Sequence, residues 1–241
     1  MPGAVSQKLG SLYLIPNLLG VAALDASLPA AVATTVSMLK HFLVEDEKNA
    51  RAFIKKVAPT VALQQLDLRR LSEHTKPDKI HDLMLPLQNG SDIGIISEAG
   101  CPGVADPGSI AVRYAHFVGA RVVPLVGPCS MLLALMASGL NGQRWRFHGY
   151  LPIEAPLRTK ALTALERDAR ELQETQIFMD TPYRNQRLLQ DILSACSPDT
   201  LLCIASSLTT EAESVRLMSI ESWRADEPIL PKEPTLFLLG A

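Results

Sequence analysis

At 241 residues, 47% of them apolar, the chain is long enough for one large domain or for two smaller ones sharing an interface. A net charge of −2 excludes a strongly basic nucleic-acid binder, although it leaves room for a local basic face. The longest apolar runs are too short to span a bilayer and no charged, apolar leader opens the chain, so a cytoplasmic protein without a membrane segment is expected.

Ser11 to Ile15 reads as a first strand, ended by Pro16-Asn17. The loop that follows, Leu18-Leu19-Gly20, has no G-x-G-x-x-G pattern, which argues against a dinucleotide-binding fold. From Pro29, the spacing of Val32, Val36 and Leu39 predicts a helix, and His41 to Val44 a second strand. Glu45-Asp46-Glu47 comes next, then a helical stripe of Ala50, Phe53, Ile54 and Val57. Asp46 can cap that helix and the acids suit its N-terminal dipole; the alternative is that one carboxylate faces a ligand cleft. Residues 66–75 fit neither period. Ile80, Leu83, Met84 and Leu87 predict a helix that Pro86 must kink or end.

The most informative stretch runs from 91 to 140. Ile93 to Ser97 is a short apolar run bounded by turn residues, as in a buried strand of a parallel sheet. A loop crowded with Gly and Pro follows, then a helix from Ser109 closed by Gly119. Residues 122–126, 127–130 and 131–138 repeat the order strand, loop, helix. Such loops lie at the carboxyl ends of strands, where open α/β sheets bind ligands, and small residues there let backbone N–H groups approach one. Equally, Gly and Pro can merely punctuate the turns.

At Asn141-Gly142-Gln143 the texture changes. Residues 144–152 alternate like a strand and lead into a long polar-faced helix, 156–173. A strand over 176–179, a loop from Asp180 to Asn185, a helix carrying Leu188, Leu189, Ile192 and Leu193, and strands at 201–205, 214–218 and 235–239 complete the chain. The expected fold class is α/β with two α/β domains: residues 1–142, a mostly parallel sheet with helices on both faces, and 143–241, a mixed sheet. Cys101, Cys129, Cys196 and Cys203 show no C-x-x-C pairing and no neighbouring His pattern, so reduced thiols and no metal are expected.

The segments G-S-L-Y-L-I-P (10–16), S-E-A-G-C-P-G-V-A-D-P-G (97–108), V-V-P-L-V-G-P-C-S (122–130), F-H-G-Y-L-P (147–152) and I-F-M-D-T-P-Y-R (177–184) together resemble the tetrapyrrole methylase superfamily, in its branch of ribosomal RNA methyltransferases. The likeness in order and spacing covers nearly the whole chain. It implies S-adenosylmethionine (SAM) bound between two α/β domains, and a homodimer. Carried over motif by motif, it implies cofactor contacts at Leu19, Gly100, Cys101, Val104, Ser130, Met131, Met179, Ala205 and Thr235. The first loop lacks the glycine-rich form of the porphyrin-modifying members, which points away from a tetrapyrrole.

Methyl transfer from a sulfonium asks the protein to position donor and acceptor and to remove a proton where needed. Glu45, Asp46 and Glu98 are the candidate bases or orienters, and Arg184 with Asn185 the candidate holders of an anionic acceptor. The expected activity is SAM-dependent methylation of RNA, by analogy at a ribose 2'-hydroxyl of ribosomal RNA in the small subunit. The alternatives are methylation of a small molecule or protein, and a SAM-binding dimer without turnover. For RNA, phosphate contacts are expected from Arg144/Arg146, Arg184/Arg187 and the helix face from Lys48 to Lys56.

Overall fold

A computed structural model describes residues 8–20 and 24–241 and divides the chain into two compact units, 1–128 and 129–241. In the first unit five parallel strands, β1 (Ser11–Ile15), β2 (His41–Val44), β3 (Asp67–Arg70), β4 (Ile93–Ile96) and β5 (Arg121–Pro124), stand in the order β3-β2-β4-β1-β5. Their apolar residues alternate between two cores. Ile15, Phe42, Val44 and Ile96 pack with α2 (Ala30–Met38) and α3 (Glu47–Val57). Leu12, Leu43, Ile93 and Ile95 pack with α4 (Ile80–Leu83), α5 (Leu85–Gln88) and α6 (Ser109–Phe117). A short α1 (Leu24–Ser27) precedes α2. A strand buried on both faces needs no polar alternation, which is why β4 reads as a plain apolar run. Gly94 of β4 has no room for a side chain: a Cβ there would lie 2.6 Å from Ile15 Cδ1 and 3.0 Å from Phe42 Cδ1.

The helix expected around Pro86 is broken at Met84 into α4 and α5, as a ring clashing with the preceding turn requires. Residues 66–75, ambiguous by period, supply β3, an edge strand with no fully buried residue; in its sequence DLRR only Leu68 packs against the core, too little to make a strand pattern.

The second unit holds β6 (Trp145–Tyr150), β7 (Thr175–Met179), β8 (Leu201–Ser206), β9 (Ser214–Ser219) and β10 (Thr235–Gly240) in the order β6-β7-β10-β8-β9. β6 and β7 are parallel and every other pair is antiparallel, giving the mixed sheet expected. α8 (Ala155–Leu172), α9 (Asn185–Ala195) and α10 (Ile220–Ala225) bury Leu162, Leu189, Ile192 and Trp223 against Phe178 and Phe237, whose rings stack with centroids 6.0 Å apart. α10 has no apolar periodicity long enough to read; Ser219 starts it by accepting the Ser222 N–H.

The first unit closes at Pro128, whereas the sequence places the boundary at 142. The difference is α7 (Ser130–Ser138), whose run SMLLALMAS packs on β8, β9 and β10. The change of texture at 141–143 therefore falls inside the second unit, at the turn between α7 and β6. Among the described residues no helix is long and apolar enough to cross a membrane.

Candidate active site

At the carboxyl ends of β1 and β4, Asn17 joins two loops. Its N–H donates to Gly100 O at 2.9 Å, and Gly100 N–H returns a bond to Asn17 O at 3.2 Å. The Asn17 side-chain amide donates to Ser97 O at 2.9 Å and Glu98 O at 3.2 Å, while its Oδ1 accepts from Leu18 N at 2.8 Å. Ser97, buried, donates its hydroxyl to Gly100 O. The third loop joins through Cys101, whose thiol lies 3.4 Å from Pro128 O and 3.7 Å from Gly127 O. Three strand-to-helix loops thus form one fixed shelf.

Gly100 is the residue that lets them meet. Its φ is +70°, and an added Cβ would sit 3.2 Å from Leu19 Cδ2 and 3.3 Å from Pro128 O. Leu19, Gly100 and Cys101 are therefore brought together, with Gly100 in the joint between loops and Val104 on the exposed rim, 46% accessible.

The rest of loop 97–108 is shaped by Asp106. Its Oδ1 accepts from Gly103 N at 2.8 Å and Gly108 N at 2.7 Å, an Asx-type turn that delivers the chain into α6. The Asp106 carboxylate also faces Glu45, at the end of β2. Burial pushes the Glu45 carboxyl above the ordinary carboxylate value, and the negative charges of Asp106, Glu98 and Glu73 push it further. Asn49, in the first turn of α3, orders the neighbouring acids. Its side-chain amide donates to Glu98 Oε2 at 2.7 Å, and its N–H donates to Asp46 Oδ1 at 2.8 Å.

Of the candidate bases, Glu45 and Glu98 thus share one acidic cluster, whereas Asp46 caps α3 with its carboxylate oxygen spent on that bond. Arg184 is tied to Asp180, donating through Nε at 2.8 Å and approaching through Nη2 at 2.5 Å. The Asp180 side chain is only 4% exposed and accepts from Thr181 N as well, so this pair holds the loop before it offers charge to a ligand. Arg187 similarly meets Asp191 at 3.3 Å and Arg51 meets Glu47 at 3.7 Å; of the expected phosphate set, Arg144, Arg146, Lys48, Lys55 and Lys56 are exposed.

In the second unit Met179, Ala205 and Thr235 stand on three adjacent strands at one end of the sheet. Leu236 is opposite both Met179 and Ala205, and Thr235 is opposite Ser206. The Thr235 hydroxyl is engaged, 2.9 Å from Ser206 Oγ and 3.0 Å from Glu233 O. Ser130 and Met131 open α7, where no side chain caps the first turn.

Asn17, Asn49 and Asp106 were not among the residues singled out from the sequence. Asn after Pro at a strand end, and Asp before Pro-Gly at a helix start, are turn signals that would have flagged two of them. Asn49 carries no such signal, because its role depends on where β4 delivers Glu98. Among the described residues no group of three or more His, Cys, Asp or Glu is arranged to hold a metal ion.

Comparison with known proteins places this geometry in context. The chain is 31% identical over 218 residues to ribosomal RNA small subunit methyltransferase I of Escherichia coli O157:H7, a match covering 86% of this chain and 68% of that protein. It is 32% identical over 234 residues to the protein of the same name from Streptococcus pyogenes serotype M3, covering 96% and 77%. With others of that name, such as the one from Haemophilus influenzae, the match spans 56% of the relative's length. Among solved structures, the methyltransferase CobJ superposes with a TM-score of 0.60 at 17% identity, covering 97% of this chain and 94% of that one, which speaks to the fold alone. No protein-family model matches the chain.

Proposed function

Because the chain belongs to the ribosomal RNA small subunit methyltransferase I family, we propose that it transfers a methyl group from SAM to ribosomal RNA of the small subunit, at a ribose 2'-hydroxyl. The observation that carries this reading is the match over 96% of the chain to a relative of that name. The loop shelf of the first unit supports it physically.

The residues present suit SAM. Beside the exposed Glu98, loop 97–108 presents the small apolar side chains of Ala99, Val104 and Ala105, and a Cβ at Gly103 would meet nothing closer than Ser109 N at 3.9 Å. The carboxylates of Glu45, Glu98 and Asp106 complement a ligand with two cationic centres, a sulfonium and an ammonium. Leu19, Gly100, Cys101 and Val104 in the first unit, and Ser130, Met131, Met179, Ala205 and Thr235 in the second, are the proposed contacts. SAM supplies an electrophilic methyl group on a good leaving group; the chain supplies position and a proton acceptor.

Glu45 is the proposed acceptor. Its carboxylate is a stronger base than an ordinary glutamate, so it can take the ribose hydroxyl proton as the oxygen forms its bond to the methyl carbon and the carbon–sulfur bond breaks. Glu98, held by Asn49, orients the acceptor, and Arg184 stays with Asp180 as a loop clamp. With a net charge of −2 the chain engages few phosphates, so recognition rests on the folded shape of a ribosomal particle. A homodimer belongs to this reading, and light scattering at twice the chain mass is its expected result.

A ribose 2'-O-methyl group protects the adjoining phosphodiester from alkaline cleavage. RNA recovered after the reaction is therefore expected to show one new alkali-resistant position. Label that stays on an alkali-sensitive nucleotide would place the methyl on a base and remove the ribose assignment.

A further inference from the structure

Two tyrosines project from one end of the second sheet, and the fold holds both in place. Tyr183 is 82% exposed and Tyr150 is 60% exposed. Tyr150 ends β6 opposite Met179, the last residue of β7, and Tyr183 follows Met179 by four residues, a chain reach of at most about 14 Å. Both rings therefore stand at the strand ends that carry the proposed donor contacts Met179, Ala205 and Thr235.

Isolated exposed aromatics are ordinary on protein surfaces. Here the supports are not. Tyr183 sits in the turn Pro182–Arg184, closed by Arg184 N donating to Thr181 O at 2.8 Å and by the Arg184–Asp180 pair. The next residue, Asn185, is fully buried and donates to Glu233 O at 2.9 Å. That bond fixes the turn to the segment carrying Lys232, whose Nζ lies 5.8 Å from the Tyr183 ring centroid. The segment after Tyr150 is clamped by the buried Arg158, which donates to Pro152 O at 3.1 Å and Ile153 O at 2.5 Å while paired with Asp191. An exposed ring on a rigid turn is ordered before a ligand arrives, so stacking on it costs little entropy.

We infer that Tyr150 and Tyr183 form a stacking platform for an unpaired nucleobase of the RNA substrate, with Lys232 meeting its phosphate. The inference rests on the RNA reading and names the part of the chain that holds the acceptor strand beside the donor. Flat apolar rings with an adjacent cation match the chemistry of a splayed-out nucleotide, which offers a π face and a phosphate charge.

The test is steady-state methylation of small ribosomal subunits lacking the modification, by the full chain and by Tyr150→Ala, Tyr183→Ala and Tyr183→Phe. Each alanine variant is expected to raise KM for the particle about tenfold or more while leaving SAM affinity and the melting temperature unchanged. Tyr183→Phe keeps the ring and is expected to behave like the parent. Ultraviolet crosslinking of the bound particle is expected to join RNA to Tyr150 or Tyr183. Unchanged KM in both alanine variants, or a Phe variant as impaired as the alanine one, overturns the platform while the methylation reading stands. If the parent chain labels a protein and no RNA, the two fall together and the tyrosines belong to a protein interface.

Discussion

Asn17 and Gly100 exchange two backbone hydrogen bonds, and this bridge, outside either strand, fixes the distance between the first loop and the central loop. Everything proposed for donor binding in the first unit lies on one side or the other of it.

Gly100 is consequently a structural joint as much as a pocket residue. Gly100→Val places a β-branched side chain at φ +70° and against Leu19 and Pro128 O, at a cost of about 3 kcal/mol. Thermal unfolding is expected to show a melting temperature several degrees lower, together with weakened SAM binding. A variant that binds SAM poorly at full stability would put the glycine in the pocket wall and out of the joint.

Asn17→Ala removes the donor to Ser97 O and Glu98 O and the acceptor of Leu18 N–H. The expected loss is about 1–3 kcal/mol. Asn17→Asp keeps the acceptor but turns a carboxylate oxygen toward the Ser97 and Glu98 carbonyl oxygens, so urea unfolding is expected to rank it no higher than the alanine variant.

Glu45 separates stability from activity. A carboxyl whose folded pKa is raised holds its proton more tightly folded than unfolded. Its favourable contribution is present below the unfolded pKa and is lost as pH rises through the folded one. At neutral pH the charged Glu45 is thus a net cost, relieved by Glu45→Gln. That variant is expected to melt no lower than the parent at pH 7 and to flatten the stability curve above the ordinary carboxylate range. Its methyl transfer is expected to fall about a hundredfold, the scale of a lost general base. Retained transfer at every pH would assign the proton to another group.

Arg184 answers differently from a free cation. With Asp180 buried, Arg184→Glu sets two carboxylates together and Arg184→Ala strands one. Discounted for the 35% exposure of the arginine, the alanine change is expected to cost about 2 kcal/mol. Circular dichroism melts check this before any effect on RNA is read from such variants.

The parallel strand–helix character of the first unit was legible because short apolar runs alternate with Gly- and Pro-rich loops, as at Ile93 to Ile96, which is buried throughout. Edge elements were not: β3 offers the core only the partly buried Leu68, and α10 is too short to show a period. The assignment of α7 also escaped the sequence. Its apolar residues lie on all sides, with Leu132 and Met136 exposed, so nothing in the pattern says which sheet it covers. At the candidate site the capping of α3 by Asp46 was legible, being a local contact with Asn49 N–H, but the clustering of Glu45 with Asp106 depends on loops that meet only in the fold. Asn17 carries a local turn signal but its partners Ser97 and Glu98 lie about 80 residues away, and the contact of Asn49 with Glu98 has no local signal at all.

The most direct measurement is transfer of tritiated methyl from SAM to small ribosomal subunits that lack the modification, beside naked oligonucleotides and ribosomal protein. Label is expected in the RNA of the assembled particle, much less in oligonucleotides, with a shallow salt dependence and near-complete loss in Glu45→Gln. Label appearing in protein or a small metabolite while the particle RNA stays blank would contradict the account.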